Sequence, residues 1–468
     1  MEIDRRARGA RFLVQNEIGT IKKGAPKIRV ALIYPNSYWV GMSNLGLHTI
    51  YHELNRRRDT GCERVFFSPR SRKPPLSIET QRPISKFDCL AISCSFELDY
   101  LNILKMLHLA KIPIRSKERP GRFPLIMAGG VFTFFNFRPL ANFVDFFVVG
   151  EAEEAIHEVM DVISSLFPVT SYQKKRKLLQ NLAGVDGVYV PGISQKVKAR
   201  RIDVDRYDTV SRILSPYTEF KNMYLIELSR GCNRVCKFCL TGSVYGRMRT
   251  RDLQRILRAA DEGLRYTKRI GLVAAAVSDY PQIDELCQRL RAKGARISVS
   301  SLRPDSLSSA LLESLVQSGQ RTVTIAPEAG SEKLRFFLNK RITDDQVLDA
   351  VSMARDRGMK RAKLYFMIGL PTETSKDISS LIDLIKRVAR ILPVKCSITP
   401  FIPKPKTPFG DYEIEDKRSL KAKLYEIRGK LKRCPRVYII SESLNRSILQ
   451  ARLAKGDEKV LESFIGPQ

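Results

Sequence analysis

Residues 223–239 read Met223-Tyr-Leu-Ile-Glu-Leu-Ser-Arg-Gly-Cys232-Asn-Arg-Val-Cys236-Lys-Phe-Cys239. The run 224–228 is apolar and strand-like, and behind it comes a short loop whose cysteines are spaced CxxxCxxC between Gly231 and Gly242. Three thiolates from one loop can hold three corners of a cubane iron–sulfur cluster and leave the fourth iron open. An open iron suits a catalytic cluster better than one that only carries electrons. The competing use of these cysteines is a zinc knuckle, which wants a fourth ligand. None is close in sequence: His48, His52, His108 and His157 all precede residue 158, and the next cysteine is Cys287.

Downstream of the loop, strand-like runs recur at 269–274, 296–300, 322–326, 363–368 and 395–399, with helical patterns between them at 251–266, 283–292, 306–317, 344–357 and 378–391. Six strand–helix units predict a partial parallel (β/α)6 barrel over 221–412, with its chemistry on the loops after the strands. Upstream, short apolar runs at 28–34, 64–67, 88–93, 125–128 and 143–149 alternate with helices at 45–57, 99–110 and 153–166, with Asp99 placed to cap the second. Such runs predict a doubly wound, Rossmann-like α/β domain over 26–167. The remaining stretches read as a basic lead-in (1–25), a polar linker with Lys-rich helix-like pieces and some short strands (168–220) and a charged helical tail (413–468).

At 468 residues the chain needs two or three domains, and 43% hydrophobic with 28% charged residues excludes a disordered, fibrous or membrane-embedded protein. The first residues, MEIDRRARGARFLV, carry no long apolar stretch, so the expected compartment is the cytoplasm, with no membrane partner. Nine cysteines on such a length argue against a disulfide scaffold. The 81 basic and 49 acidic residues leave a net charge of +32, which predicts attraction to RNA or another anionic substrate unless it is a general surface adaptation. Arg247, Arg249 and Arg251, just beyond the cysteine loop, are candidates to guide a phosphate backbone.

The cysteine loop after the first strand of a six-unit barrel resembles the radical S-adenosylmethionine (SAM) superfamily. Further motifs narrow the resemblance: Val277-Ser-Asp279-Tyr280, Ser300-Ser-Leu-Arg303-Pro-Asp-Ser306, Ile325-Ala-Pro-Glu328-Ala-Gly330, Gly369-Leu-Pro371 and Phe401-Ile-Pro-Lys-Pro405. With Gly41-Met-Ser-Asn-Leu-Gly46, Ala128-Gly-Gly130 and Val149-Gly150-Glu151, they are similar to the subgroup that carries a cobalamin-binding domain. The resemblance spans roughly residues 25–410. It implies a [4Fe-4S] cluster on Cys232, Cys236 and Cys239, with SAM chelating the open iron and being cleaved to a 5′-deoxyadenosyl radical. A reductant such as ferredoxin or flavodoxin would supply the electron.

By position, the resemblance puts Phe238 against adenine, Ser278 and Asp279 at the methionine amino group, and Ser300 and Arg303 at the ribose or carboxylate. Glu328 would take the ribose hydroxyls, and Gly369, Leu370 and Pro371 would admit the adenine. For cobalamin it implies Trp39 beside the corrin and Gly129, Gly130 and Gly150 along a nucleotide-like tail. The motif Asp-x-His-x-x-Gly is missing after the first strand, so a histidine ligand to cobalt is not expected. The expected function is radical SAM chemistry, with cobalamin-dependent methyl transfer as one form of it. One alternative is a tRNA methylthiotransferase-like enzyme with a second cluster on Cys62, Cys89 and Cys94; another is a non-catalytic cobalamin- or RNA-binding regulator.

Overall fold

In the computed structural model, which describes residues 9–121 and 123–465, the expected first strand is β1, Ile28–Tyr34. The first eight residues of the expected lead-in and the last three of the expected tail lie outside the described residues. The chain divides into two units, Met1–Met223 with Gly456–Gln468, and Tyr224–Lys455.

In the first unit β1 is flanked by β2 (Thr60–Phe66) and β3 (Cys89–Ser93), followed by β4 (Leu125–Gly129), β5 (Phe146–Val148) and β6 (Val188–Tyr189). The sheet order is β2-β1-β3-β4-β5-β6, parallel except for β6. The apolar runs pay no polar penalty because both faces are covered. On one face Val30, Leu32, Cys62, Ala91 and Met127 pack against Leu47, Tyr51, Ile156 and Val159 of two helices. On the other, Phe147 meets Phe132, which meets Tyr100 of the helix Asp99–Leu109. The order 2-1-3-4-5 reverses direction between β1 and β3, so the ligand crevice of this doubly wound sheet falls at their carboxyl ends.

Several expectations change. Asp99 is the first residue inside its helix and caps nothing; its carboxylate accepts from Asn36 at 2.9 Å and Asn102 at 3.2 Å, tying the end of β1 to the loop after β3. The stretch 168–220, expected as a linker, supplies the helix Tyr172–Leu182 and β6, and so belongs to the sheet. The lead-in is anchored as well: Ile18 exchanges backbone hydrogen bonds with Leu214, and Glu17 pairs with the fully buried Arg64 at 2.6 Å.

In the second unit β7 (Tyr224–Glu227) is followed by the short antiparallel pair β8 (Ser229–Arg230) and β9 (Arg249–Thr250). Then come β10 (Arg269–Val273), β11 (Arg296–Val299), β12 (Thr322–Glu328), β13 (Arg361–Ile368), β14 (Val394–Pro400) and β15 (Val437–Ser441). Two parallel sheets, β11-β10-β7 and β12-β13-β14-β15, meet through a bridge between Leu302 and Ile325. All six expected strands are therefore present in chain order. The charged tail is not wholly helical: β15 adds a seventh parallel strand beside β14. Among the described residues no helix is long and apolar enough to cross a membrane.

His48 shows how the first unit is locked. It is 3% exposed; its Nε2 contacts the Met42 carbonyl at 3.0 Å and its Nδ1 accepts from the backbone N–H of Arg212 and Ile213 at 3.1 and 3.3 Å. An Nδ1 that accepts two N–H groups requires the neutral ring. Burial pulls the pKa of His48 down from 6.5 to about 4. Below pH 6.5 the unfolded chain takes up a proton that the folded chain refuses, so this contribution is whole above pH 6.5 and is lost as pH falls toward 4. Urea titrations should show wild-type stability dropping between pH 7 and pH 5 by about 2 kcal/mol more than that of His48→Gln. Equal drops in the two proteins would contradict the assignment.

Candidate functional site

The site begins where β7 ends. Gly231 sits at φ 88°, and a side chain there would stand 2.5 Å from the Arg247 carbonyl, so only glycine lets β8 turn into the cysteine loop beside β9. Cys232 donates its N–H to the Gly246 carbonyl at 3.0 Å, and Cys239 N–H donates to the Cys236 carbonyl at 3.0 Å. The far side is held by the turn after the helix Glu332–Phe337. Lys237 N–H donates to Leu338 O at 2.9 Å, and the Asn339 amide donates to the carbonyls of Arg234 and Val235 at 3.3 and 3.0 Å.

Cys236 is buried, whereas Cys232 and Cys239 are half-buried. Burial raises the Cys236 thiol above its ordinary range; nearby Lys340 and Arg303 oppose this, and negative charge on Cys239 and Cys232 adds to it. Lys340 and Arg303 thus stand by to offset thiolate charge at Cys236. Among the described residues no three His, Cys, Asp or Glu side chains converge on a single ion. A cubane asks for something else, one thiolate at each of three separate iron corners. The chemistry of this donor set fits that cluster.

Arg234, between the first two cysteines, reaches across to the loops after β10 and β11. It grips both oxygens of Asp279 at 2.7 Å and one of Asp305 at 3.0 Å. Arg303 in turn donates to both oxygens of Asp305 at 2.9 Å, and Ser306 bridges Ser278 at 2.9 Å and Asp279 at 2.7 Å. Burial acts to raise the Asp279 carboxyl, but Arg234 and Ser306 outweigh it and hold the pKa below the ordinary value. Glu328, at φ 74° on the last residue of β12, accepts from Lys340 at 3.2 Å; burial nevertheless raises its pKa.

Of the residues singled out in the sequence, Ser278, Asp279 and Arg303 are therefore joined in one network, and Glu328 hangs from its edge through Lys340, whose carbonyl accepts from Arg303 at 3.3 Å. Ser300 is exposed and takes no part in it. Phe238 and Leu370 meet in a separate apolar cluster with Leu334, Leu338, Phe401 and Phe409. Gly369 sits at φ 75°, where a side chain would collide with Glu415, and the buried Pro371 follows it. The sequence reading missed Arg234, Asp305, Ser306 and Lys340. Only the position of Arg234 inside the cysteine motif could have drawn attention to it.

The basic trio beyond the loop does not act as one patch. Arg247 is exposed, but Arg251 is 4% exposed and gives its guanidinium to Glu227 at 2.6 Å. Glu227 also accepts from Arg230 at 2.9 Å, and although burial acts to raise it, the two guanidinium groups hold its pKa low. Arg251 thus braces β7 rather than meeting an outside phosphate.

In the first unit Trp39 follows β1 at the switch point, half-buried, and its indole N–H donates to Glu219 at 2.8 Å. Gly130, at φ 114°, is required because a side chain would meet the Cys94 carbonyl at 2.2 Å; Gly150, at φ 110°, meets the Arg200 backbone at 2.3 Å. The chain's own backbone accounts for both glycines, whereas Gly129 has ordinary room, with Val148 O at 3.6 Å. Cys62 and Cys89 lie in β2 and β3, both in register with Val30 of the strand between them, about 10 Å apart by strand spacing. Cys94 turns its thiol to the Phe96 carbonyl, so these three buried cysteines pack the core and do not gather round a second cluster.

Residues 46–191 match the N-terminal domain of radical SAM proteins, and residues 226–385 match the radical SAM superfamily. An uncharacterized protein of Methanocaldococcus jannaschii is 36% identical over 442 residues, which cover 92% of this chain and 89% of that protein. The structure resembles the radical SAM methyltransferase TsrM of Kitasatospora setae, determined with cobalamin and a [4Fe-4S] cluster, with a TM-score of 0.56 at 14% identity over 82% of this chain and 77% of that one. It also resembles the cobalamin-dependent radical SAM enzyme OxsB, with a TM-score of 0.55 at 16% identity over 78% of this chain and 53% of that one. These likenesses are of fold. With a CxxxCxxC loop issuing from the first strand of a parallel (β/α) unit, and both units matched in sequence, the chain belongs to the radical SAM superfamily.

Proposed function

We propose that this chain cleaves SAM reductively at a [4Fe-4S] cluster on Cys232, Cys236 and Cys239 and that it uses cobalamin in transferring a methyl group to its substrate. The observation that carries the first part is the Arg234 clamp, which joins the cysteine loop to Ser278, Asp279 and Arg303. When bound, the cluster would supply an open iron to chelate the methionine end of SAM and an electron to break its carbon–sulfur bond. The residues do the positioning. Asp279, kept ionised by Arg234, would accept from the methionine ammonium, and Arg303 would face its carboxylate. Glu328 would accept from the ribose hydroxyls, and Phe238 with Leu370 would offer an apolar face to adenine.

Cobalamin would supply a methyl carrier, and the β1/β3 crevice beside Trp39 is where a doubly wound sheet takes such a ligand. The likeness in fold to TsrM and OxsB supports this reading. His48 has both ring nitrogens engaged inside the fold and is not free to reach cobalt from below. The packing of Cys62, Cys89 and Cys94 in the core weighs against a methylthiotransferase with a second cluster.

Each of Cys232→Ala, Cys236→Ala and Cys239→Ala should reduce bound iron and stop formation of 5′-deoxyadenosine from SAM. Full iron and product in the triple variant would defeat the proposal, whereas iron without SAM cleavage in the unmodified protein would point to a regulator. Arg234→Leu, which takes the guanidinium from Asp279 and Asp305, should cost about 1–2 kcal/mol of stability and lower cluster occupancy, and Arg234→Lys should restore part of it. Unchanged iron content in Arg234→Leu would remove the clamp from cluster assembly. In protein loaded with cob(II)alamin, electron paramagnetic resonance should show no splitting from a histidine nitrogen on cobalt. Such splitting would refute the absent lower ligand, and failure to retain cobalamin would remove it from the function.

A further inference from the structure

Strands of a parallel sheet covered on both faces are apolar throughout. β1 obeys this rule, but β13 and β14 do not. In β13 Ala362, Leu364, Phe366 and Ile368 are buried while Arg361, Lys363, Tyr365 and Met367 are open or half-open. In β14 Val394, Cys396 and Ile398 are buried while Lys395, Ser397 and Thr399 are not. The buried set is served by the apolar side of the helix Ser375–Ile391. The opposite face packs at its carboxyl end, where Met367 meets the apolar cluster of Leu370 and Phe401, and its amino-terminal part is left open.

On that face the register sets Lys363 beside Lys395, and Lys395 beside Tyr438 of the outermost strand, β15. Neighbouring strands are about 4.8 Å apart, so two like-charged residues sit at directly paired positions, an arrangement that costs a sheet stability. Among the described residues neither lysine makes an ion pair; each lies over an aromatic ring, Lys363 4.6 Å from Tyr365 and Lys395 6.0 Å from Tyr438. Ring contacts orient an ammonium without neutralising it. Arg361, exposed and two residues before Lys363, extends the same charge, and Tyr438 is 63% exposed. These residues lie in the amino-terminal halves of their strands, away from the carboxyl-end loops that carry the cysteines and Asp279.

Uncompensated cations in a row next to an exposed ring form the pattern that takes a single-stranded nucleic acid, whose phosphates meet the cations while a base stacks on the ring. We propose that the open face of β13, β14 and β15 binds single-stranded RNA or DNA, with phosphate at Lys363 and Lys395 and a base on Tyr438. This goes beyond the SAM chemistry and does not depend on it.

The test is fluorescence anisotropy of the full chain with a labelled single-stranded oligoribonucleotide, read directly rather than through turnover. The cluster reading stands on iron content, whereas this one stands on binding. Lys363→Gln/Lys395→Gln should weaken binding at low salt by at least about ten-fold and flatten the log–log salt slope by about 1.4. Tyr438→Ala should weaken it roughly ten-fold, and Tyr438→Trp should retain it. Lys421→Gln/Arg433→Gln removes equal charge from exposed positions elsewhere and should change affinity less than three-fold. Unchanged melting temperatures verify that the variants are folded. The proposal is overturned if the two double variants weaken binding equally, which would mean general attraction to a +32 chain. It is also overturned if the RNA does not bind at low salt, as for a face that takes a protein. Full displacement by inorganic phosphate, with Tyr438→Ala binding normally, would reassign the face to a small anion.

Discussion

One guanidinium holds the second unit's chemistry together. Three thiols on a short loop can serve one cluster only if that loop is immobile, and a loop rich in glycine and polar residues has little packing of its own. Arg234 supplies the missing constraint from within the cysteine motif, because its planar fork matches the Asp279 carboxylate and its remaining nitrogen reaches Asp305. The loops after β10 and β11 are fixed by the same contact. Lysine, with one point charge, could not span both carboxylates in this way.

Guanidinium groups repeat this role across the fold. Arg64, Arg119 and Arg335 are among the largest fully buried side chains; Arg64 is held by two carboxylates, and Arg119 and Arg335 each by a carboxylate and backbone carbonyls. Arg64 ties the amino-terminal segment to β2 through Glu17 and Glu79, and Arg335 gathers the carbonyls of Ala329, Gly330 and Ile342 beneath the turn that holds the cysteine loop. Buried pairs of this kind return little net stability after desolvation, but removing one partner is costly, so they set which segments must meet. Part of the chain's basic excess is therefore internal scaffolding, as Arg251 also shows. The part that remains open to solvent and outside any ion pair, as at the exposed Lys395, is the part that can act on something outside.

The sheet of the first unit and the four-stranded sheet of the second treat solvent differently. In the first unit both faces are sealed by helices and aromatic contacts, and the charged side chains of Glu63 and Arg64 within β2 are buried as well. In the second unit the four-stranded sheet alternates along β13 and β14, so one face packs and the amino-terminal part of the other stays open. The open part costs buried apolar area, a cost that makes sense where a surface must stay available to a ligand.

What the sequence determined by itself was local. Apolar runs marked β1, β3, β4 and six of the second unit's strands to within a few residues, since strand and helix periodicity is carried by neighbours in the chain. The cysteine spacing pointed to a cluster for the same reason, since three thiols on one loop are visible without any other part of the fold. Tertiary structure decided whatever depended on residues far apart. Asp99 had the right identity for a cap but found Asn36 instead; 168–220 looked like a linker until β6 paired with β5; β15 was hidden in a charged tail until β14 offered it an edge. Arg251 and Arg247 are alike in sequence, and only the presence of Glu227 separates a brace from a surface charge. Gly130 and Gly150 are glycines because the backbones of Cys94 and Arg200 lie where a side chain would go. Each of these outcomes rests on a partner 24 or more residues away, which local propensity does not carry.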